Sequence, residues 1–233
     1  MQDTVWVEGT FLERPHRFMI RAQTVEGVVE AHCPNSGSLK DVCKVGASVL
    51  LSKVPDHVER KLRYTWEWIK DGATWVGIHT HKTNDWVHQA LQGGIIKELG
   101  IPEHIKRESV VKDHGRLDFL LNNKTYVEVK SVHWRAHPST TAIFPDGVTS
   151  RGLKHLNTLK GLVSQGFEAY VLFVVQRDDC DAVAPAWEVD PKFAQAWVDL
   201  KHHGVGCLAY ACHPPYTGQI GLSRSLKVLD KVI

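Results

Sequence analysis

Gly115-Arg116-Leu117-Asp118-Phe119-Leu120-Leu121, then Asn122-Asn123-Lys124, then Thr125-Tyr126-Val127-Glu128-Val129-Lys130-Ser131-Val132 is the stretch that decides the fold. Both flanks alternate with period 2, the signature of half-buried strands. An asparagine in the three-residue connection can take the left-handed conformation of a tight hairpin turn. The register then pairs Leu121 with Thr125, Asp118 with Glu128 and Arg116 with Lys130. Paired residues share a face, so Leu117, Phe119, Leu121, Val127 and Val129 are expected on a core face. Asp118, Glu128 and Lys130 converge on the opposite one.

The patterns on either side of the hairpin differ. Between residues 84 and 99, Val87, Leu91, Ile95 and Leu99 recur every fourth residue, which predicts a helix N-capped by Asn84 and weakened at Gly93-Gly94. Residues 151–164 return to helical spacing, and Lys192–His203 reads as another helix. Between them Ala169–Val175 is a continuous apolar run, expected of a strand buried on both faces. Strands alternating with helices predict an α/β domain with a mixed sheet over residues 81–233. Residues 1–80 instead read as short strands separated by turns, with alternation at Val5, Val7, Phe11, Phe18, Ile20, Val49, Leu51, Tyr64, Trp66 and Trp68. They predict a small OB-like β-barrel.

Composition excludes several classes. The chain has 233 residues, an apolar fraction of 43% and a charged fraction of 23%, which is globular and not disordered. Lys and Arg number 28 against 26 Asp and Glu, so any nucleic-acid affinity must come from local placement of charge. No stretch reaches the apolar length of a membrane span. No signal peptide is evident, and five cysteines form no disulfide framework. The expectation is a soluble cytoplasmic protein.

Two carboxylates facing each other across a strand pair repel. A divalent cation between them removes the repulsion, and oxygen ligands suit Mg²⁺ or Mn²⁺. Asp118 and Glu128 are thus the candidate metal ligands. Lys130 on the same face would orient a water or neutralise charge on a phosphoryl oxygen, making Asp118, Glu128 and Lys130 the candidate catalytic set. The competing reading is an amphipathic hairpin whose charged face only keeps it soluble, Lys130 and Arg116 pairing the acids.

Arg60, Lys61 and Arg63, beside the aromatic run Tyr64, Trp66 and Trp68, would suit nucleic acid, although those aromatics also fit a barrel core. Arg116 is a further candidate phosphate contact. So are Arg151 and His155, one turn apart at a helix start. Ser38 and Asn35 lie in a turn cluster. Glu98, Glu103 and Glu108 are alternatives for a third carboxylate. Cys207, Cys212 and His213 match no compact zinc pattern. With no recognition-helix or zinc-finger pattern, DNA binding with little sequence preference is expected.

Asp118 followed by Glu128-x-Lys130 on adjacent strands resembles the PD-(D/E)xK nuclease signature. Longer strings narrow the resemblance: CPNSGSL at 33–39, GRLDFLL at 115–121, YVEVKSV at 126–132, FPDGVTSRGLKHL at 144–156 and LFVVQRDD at 172–179. Together they resemble the sugar fermentation stimulation protein family over almost the full length. The resemblance implies an OB-like domain, a restriction-endonuclease-like domain and DNA binding, duplex or partly single-stranded. The family usually has an acidic residue and a glutamine where Ser150 and Leu153 stand here, while Arg151 and His155 match. Two functions follow: a Mg²⁺- or Mn²⁺-dependent deoxyribonuclease, or a non-catalytic DNA-binding regulator of sugar metabolism that keeps the scaffold.

Overall fold

β-Branched and aromatic residues at alternate positions form six strands in residues 5–77: β1 (Val5–His16), β2 (Met19–Thr24), β3 (Gly27–His32), β4 (Ser48–Lys53), β5 (Tyr64–Asp71) and β6 (Thr74–Gly77). The computed structural model describes residues 5–55, 57–112, 115–215, 219 and 221–232. The order β3-β2-β1-β4-β5-β6, with β3 also pairing in parallel with β5 at Ala31–Tyr64 and His32–Thr65, closes a ring of five strands. This is the expected OB-like barrel. Its core holds Phe11, Ile20, Leu51, Trp66 and Ile69.

Trp66 and Trp68 do not share that core. The β4–β5 register shifts between Leu50 and Leu51, which pair with Trp68 and Trp66. Such a bulge re-aims the following side chain. Trp66 packs on Phe11 inside the barrel, with ring centroids 5.6 Å apart, whereas Trp68 stacks on Trp86 of the next domain at 6.3 Å. Both are buried, so this aromatic run is core.

The second domain continues through α1 (Thr80–Gln92), β7 (Ile105–Val111), β8 (Gly115–Leu121), β9 (Thr125–Val132), β10 (Trp134–Arg135), β11 (Thr141–Phe144) and α2 (Ser150–Ser164). It ends with β12 (Glu168–Val175), β13 (Ala182–Pro185), α3 (Pro191–Asp199), β14 (Gly206–Cys212), β15 (Leu222–Ser225) and β16 (Lys227–Val228). The main sheet, β15-β14-β12-β9-β8-β7, is mixed: β9–β12 and β12–β14 are parallel and the rest antiparallel. A smaller sheet runs β10-β11-β13-β16. The run at 169–175 is buried on both faces as expected. Val171, Phe173 and Val175 pack with α2 and α3 residues, and Leu172 and Val174 with α1 residues. No helix among the described residues is long and apolar enough to cross a membrane.

The first helix departs from expectation at both ends. It starts at Thr80 after His79, without a side-chain cap, and Asn84 lies inside it. It stops at Gln92, because Gly94 takes a positive φ of 66° and turns the chain. The other two helices have side-chain caps, Thr149 accepting from the Gly152 amide and Asp190 from the Phe193 amide.

An ion cluster holds the barrel against the second domain. Arg177, just past β12, is 1% exposed. Its guanidinium reaches Asp179 at 2.6 and 2.8 Å, Asp71 at the end of β5 at 3.0 Å, and the His133 carbonyl at 3.2 Å. Lys44 also pairs with Asp71 at 2.6 Å, and Arg135 with Asp179 at 2.5 Å. Burial opposes ionisation of Asp179, yet the two arginines prevail and hold its pKa at about 2. Beside this cluster the Gly77 amide donates to the Gln176 carbonyl at 2.8 Å. A Cβ at Gly77 would lie 2.3 Å from Gln176 Oε1, so a side chain there would require the Gln176 amide to move. Removing one partner of a buried ion cluster costs about 3–5 kcal/mol. Arg177→Met is therefore expected to lower the Tm by about 6–20 °C in thermal unfolding; a loss of 1 °C or less would show that the seam is held by other contacts.

Candidate active site

Next to the turn the hairpin adopts the expected register, with Leu121 opposite Thr125, Leu120 opposite Tyr126 and Phe119 opposite Val127 around left-handed Asn122 and Asn123, but the expected Asp118–Glu128 and Arg116–Lys130 pairs do not form. There the ladder ends. The Val129 amide donates instead to Asp118 Oδ2 at 2.7 Å, so the carboxylate is inserted between the strands. On the other side of β8 the pairing skips Glu108 and Asp118, and Glu108 has a φ of 48°. This irregularity disturbs the alternation. Leu117 packs in the α2-side cluster with Leu120 and Tyr126, not on the face of Phe119, Leu121 and Val127 where strict period 2 would put it.

Each carboxylate is held from a different helix. Asn84 of α1 donates to Asp118 Oδ1 at 2.7 Å. His155 of α2 bonds Glu128 Oε1, and Lys130 Nζ reaches the same oxygen at 2.5 Å. An ionised carboxylate only accepts, so His155 Nδ1 carries the proton in this contact. The 3.4 Å separation of Lys130 Nζ from that nitrogen is then an approach of two donors, not a hydrogen bond. Glu128, Lys130 and His155 are all buried. Glu128 Oε2 is buried with no hydrogen-bond partner.

The two pKa values are pushed apart. Burial, with the neighbouring Glu128 charge, raises Asp118 to about 6, against the hydrogen bonds from Val129 and Asn84. Burial also acts to raise Glu128, but His155 and Lys130 outweigh it and hold that carboxyl below its ordinary value. Two carboxylates at one site, one resisting ionisation and one with an unmatched buried oxygen, are a donor set that a hard divalent cation completes.

The surrounding cavity, of about 600 Å³, is also lined by Glu108, Arg116, Arg151, Thr149 and Ser36. Of the three possible third carboxylates, Glu108 is the one placed here, paired with Arg116 at 3.2 Å. Glu98 instead accepts from Tyr210 at 2.7 Å. Arg151 is exposed on the cavity wall, while His155, one turn on, points inward to Glu128. Arg60, Lys61 and Arg63 lie apart, along a separate concavity of the β4–β5 connection. There Arg60 donates to Thr65 at 2.9 Å. Among the described residues no three His, Cys, Asp or Glu side chains are grouped as a metal site, so Cys207, Cys212 and His213 form no zinc centre. The sequence reading assigned Asn84 to a cap. Only its spacing from the hairpin in three dimensions reveals its contact with Asp118.

Comparison with known proteins agrees with this architecture. Residues 12–78 match the family model for the SfsA N-terminal OB domain, and residues 81–217 that for the sugar fermentation stimulation protein RE domain. The chain belongs to the sugar fermentation stimulation protein family. A homolog from Maricaulis maris is 39% identical over 95% of both chains, and one from Geotalea uraniireducens is 40% identical over 94% of this chain and 95% of its own. The solved structure of Pyrococcus furiosus SfsA in complex with Ca²⁺ superposes with a TM-score of 0.86 at 25% identity, covering 98% of each chain. Ser150 is exposed at the start of α2 and Leu153 packs against the core.

Asp118 gives the site a pH signature. Its folded pKa lies above the ordinary carboxylate value, so its contribution to stability is present at low pH and lost as pH rises through about 6. A divalent cation bound at Asp118 would compete with that proton. At a hundredfold excess over Kd, Mn²⁺ is expected to add about 2.7 kcal/mol at pH 7.5 and far less at pH 5. Thermal shift with Mn²⁺ against EDTA measures this; equal shifts at both pH values would separate Asp118 from cation binding.

Proposed function

We propose that this chain is a Mg²⁺- or Mn²⁺-dependent deoxyribonuclease of little sequence preference, with Asp118 and Glu128 as metal ligands. The observation that carries the reading is Glu128: a buried carboxylate with one oxygen bonded by His155 and Lys130 and the other unpartnered. The Ca²⁺ bound by the Pyrococcus protein supports a hard divalent ion at a site of this fold. When bound, such an ion supplies Lewis acidity and acidifies a coordinated water.

The chain's own residues do the rest. Asn84 and the Val129 amide fix both oxygens of Asp118. His155 acts as a positioning residue, holding Glu128 through a contact that leaves Oε2 directed to a ligand. Lys130 brings a positive charge to the position where a phosphoryl oxygen gains negative charge. Arg116 and Arg151, exposed on the wall, anchor neighbouring phosphates.

The test separates catalysis from binding. Wild-type protein is expected to cleave DNA with Mg²⁺ or Mn²⁺ and not with EDTA. Glu128→Ala should abolish cleavage while leaving affinity in EDTA nearly unchanged, since the lost carboxylate makes no attractive phosphate contact. Lys130→Ala should cut cleavage by about 10²–10³-fold. A wild type that binds DNA yet cleaves neither single- nor double-stranded substrate would make the protein a non-catalytic DNA-binding regulator. Equal cleavage by all three proteins would assign the activity to a contaminant.

A further inference from the structure

Resting on the nuclease reading above, we infer that single-stranded DNA leaves the carboxylate site along a basic groove across the domain seam, held by Arg17 and Lys40. The site cavity and a neighbouring cavity of about 790 Å³ share Ser36, Phe144 and Thr149 in their walls, so the two adjoin. The second cavity has both domains as walls, with residues 14–43 of the barrel on one side and 144–149 on the other.

The charges along this groove suit a phosphodiester backbone. Arg14 is fully occupied: its guanidinium donates to the carbonyls of Arg17, Asn35, Gly37 and Ser38, and so braces the turn at 33–39. Arg17 and Lys40 are exposed and have no ion pair among the described residues. The one carboxylate lining the groove, Asp146, is engaged by the Ser38 amide at 2.8 Å. Two cations without an ion pair among the described residues therefore face a groove that holds one acid, and the groove adjoins the carboxylate site.

Phe144 selects a single strand. It stands where the two cavities meet, half-buried, its ring set against Phe193 and Phe173 with centroids 5.3 and 6.1 Å away. A fixed aromatic face beside a cationic track is the arrangement that receives unstacked bases. The Arg60, Lys61 and Arg63 concavity shares no lining residue with the groove.

The experiment measures binding of fluorescein-labelled single-stranded and duplex oligonucleotides to the full chain in EDTA, by anisotropy across a salt series. Arg17→Glu/Lys40→Glu should raise Kd for single strands by about tenfold or more and reduce the slope of log K against log salt by about 1.4, two phosphate contacts' worth. Lys192→Glu/Lys227→Glu, the same charge change on exposed residues outside the groove, is the control and should change Kd less than threefold. Unchanged affinity in the groove variant, a loss matched by the control, or a loss confined to duplex would overturn the inference while leaving the nuclease reading intact. A wild type with no salt-sensitive binding to either form would overturn both. Both side chains are exposed, so an unchanged Tm confirms that the variant is folded.

Discussion

A carboxylate taken out of water is the constraint around which the second domain is arranged. Glu128 lies on β9, flanked by β8 and β12, and is 3% exposed. An ionised group there costs several kcal/mol unless charges and donors compensate. His155 comes from α2, so the helix must start near the strand, with Thr149 capping it at the cavity rim. Lys130 comes from two residues along the same strand, which only period-2 geometry puts on the same face. Asp118 needs its own donors, one from α1 and one from the strand that would otherwise have continued the ladder. Position, cap and broken ladder all follow from stabilising two acids in one place.

The barrel contributes to the same end through the seam. Arg177 and Asp71 tie β12 to β5, and Trp68 stacks on Trp86 of α1, the helix that also carries Asn84. Asn35 of the barrel turn donates to the Ile78 carbonyl at 3.1 Å and lies 2.9 Å from His133 Nε2. Burial pushes the His133 pKa down to about 4, so the ring stays neutral at this contact. The Ser38 amide donates to Asp146 Oδ2 at 2.8 Å, which sets the turn at 33–39 against the loop at 144–149. A Cβ at Gly37 would meet Asp146 Oδ2 at 2.5 Å, so a side chain there would displace that carboxylate from the Ser38 amide.

Much of this was legible in the sequence, for physical reasons that also mark where legibility stops. The hairpin register followed from period and turn chemistry, both local, and the structure reproduces it from Leu121–Thr125 to Phe119–Val127. The doubly buried strand at 169–175 and the closed barrel were also readable, since continuous apolar runs and short alternating strands have few alternative uses. What failed was non-local. Asn84 has the chemistry of a cap and was read as one, but its amide is used by a carboxylate on a distant strand. Leu117 and Trp68 left their expected faces because of irregularities at Glu108 and at the β4–β5 register shift, which no period announces. His155 was expected on the face of Arg151 as a further phosphate contact, yet it turns inward to Glu128 while Arg151 faces outward.

Burial rules out a solvated face as the reason for the charged hairpin. A face kept charged for solubility is wet, and its ion pairs contribute little. Here Glu128 and Lys130 are 3% and 9% exposed, and His155 is 8% exposed. A buried ion pair of this kind is seldom more stable than apolar side chains of similar volume would be. Solubility cannot account for it, and stability is a poor reason to keep it. The unpartnered Glu128 oxygen makes the imbalance sharper, because the Lys130 and His155 contacts both fall on the other oxygen. The fold desolvates two acids and supplies donors to three of their four oxygens, and the fourth, Glu128 Oε2, is the one that the nuclease reading assigns to a metal.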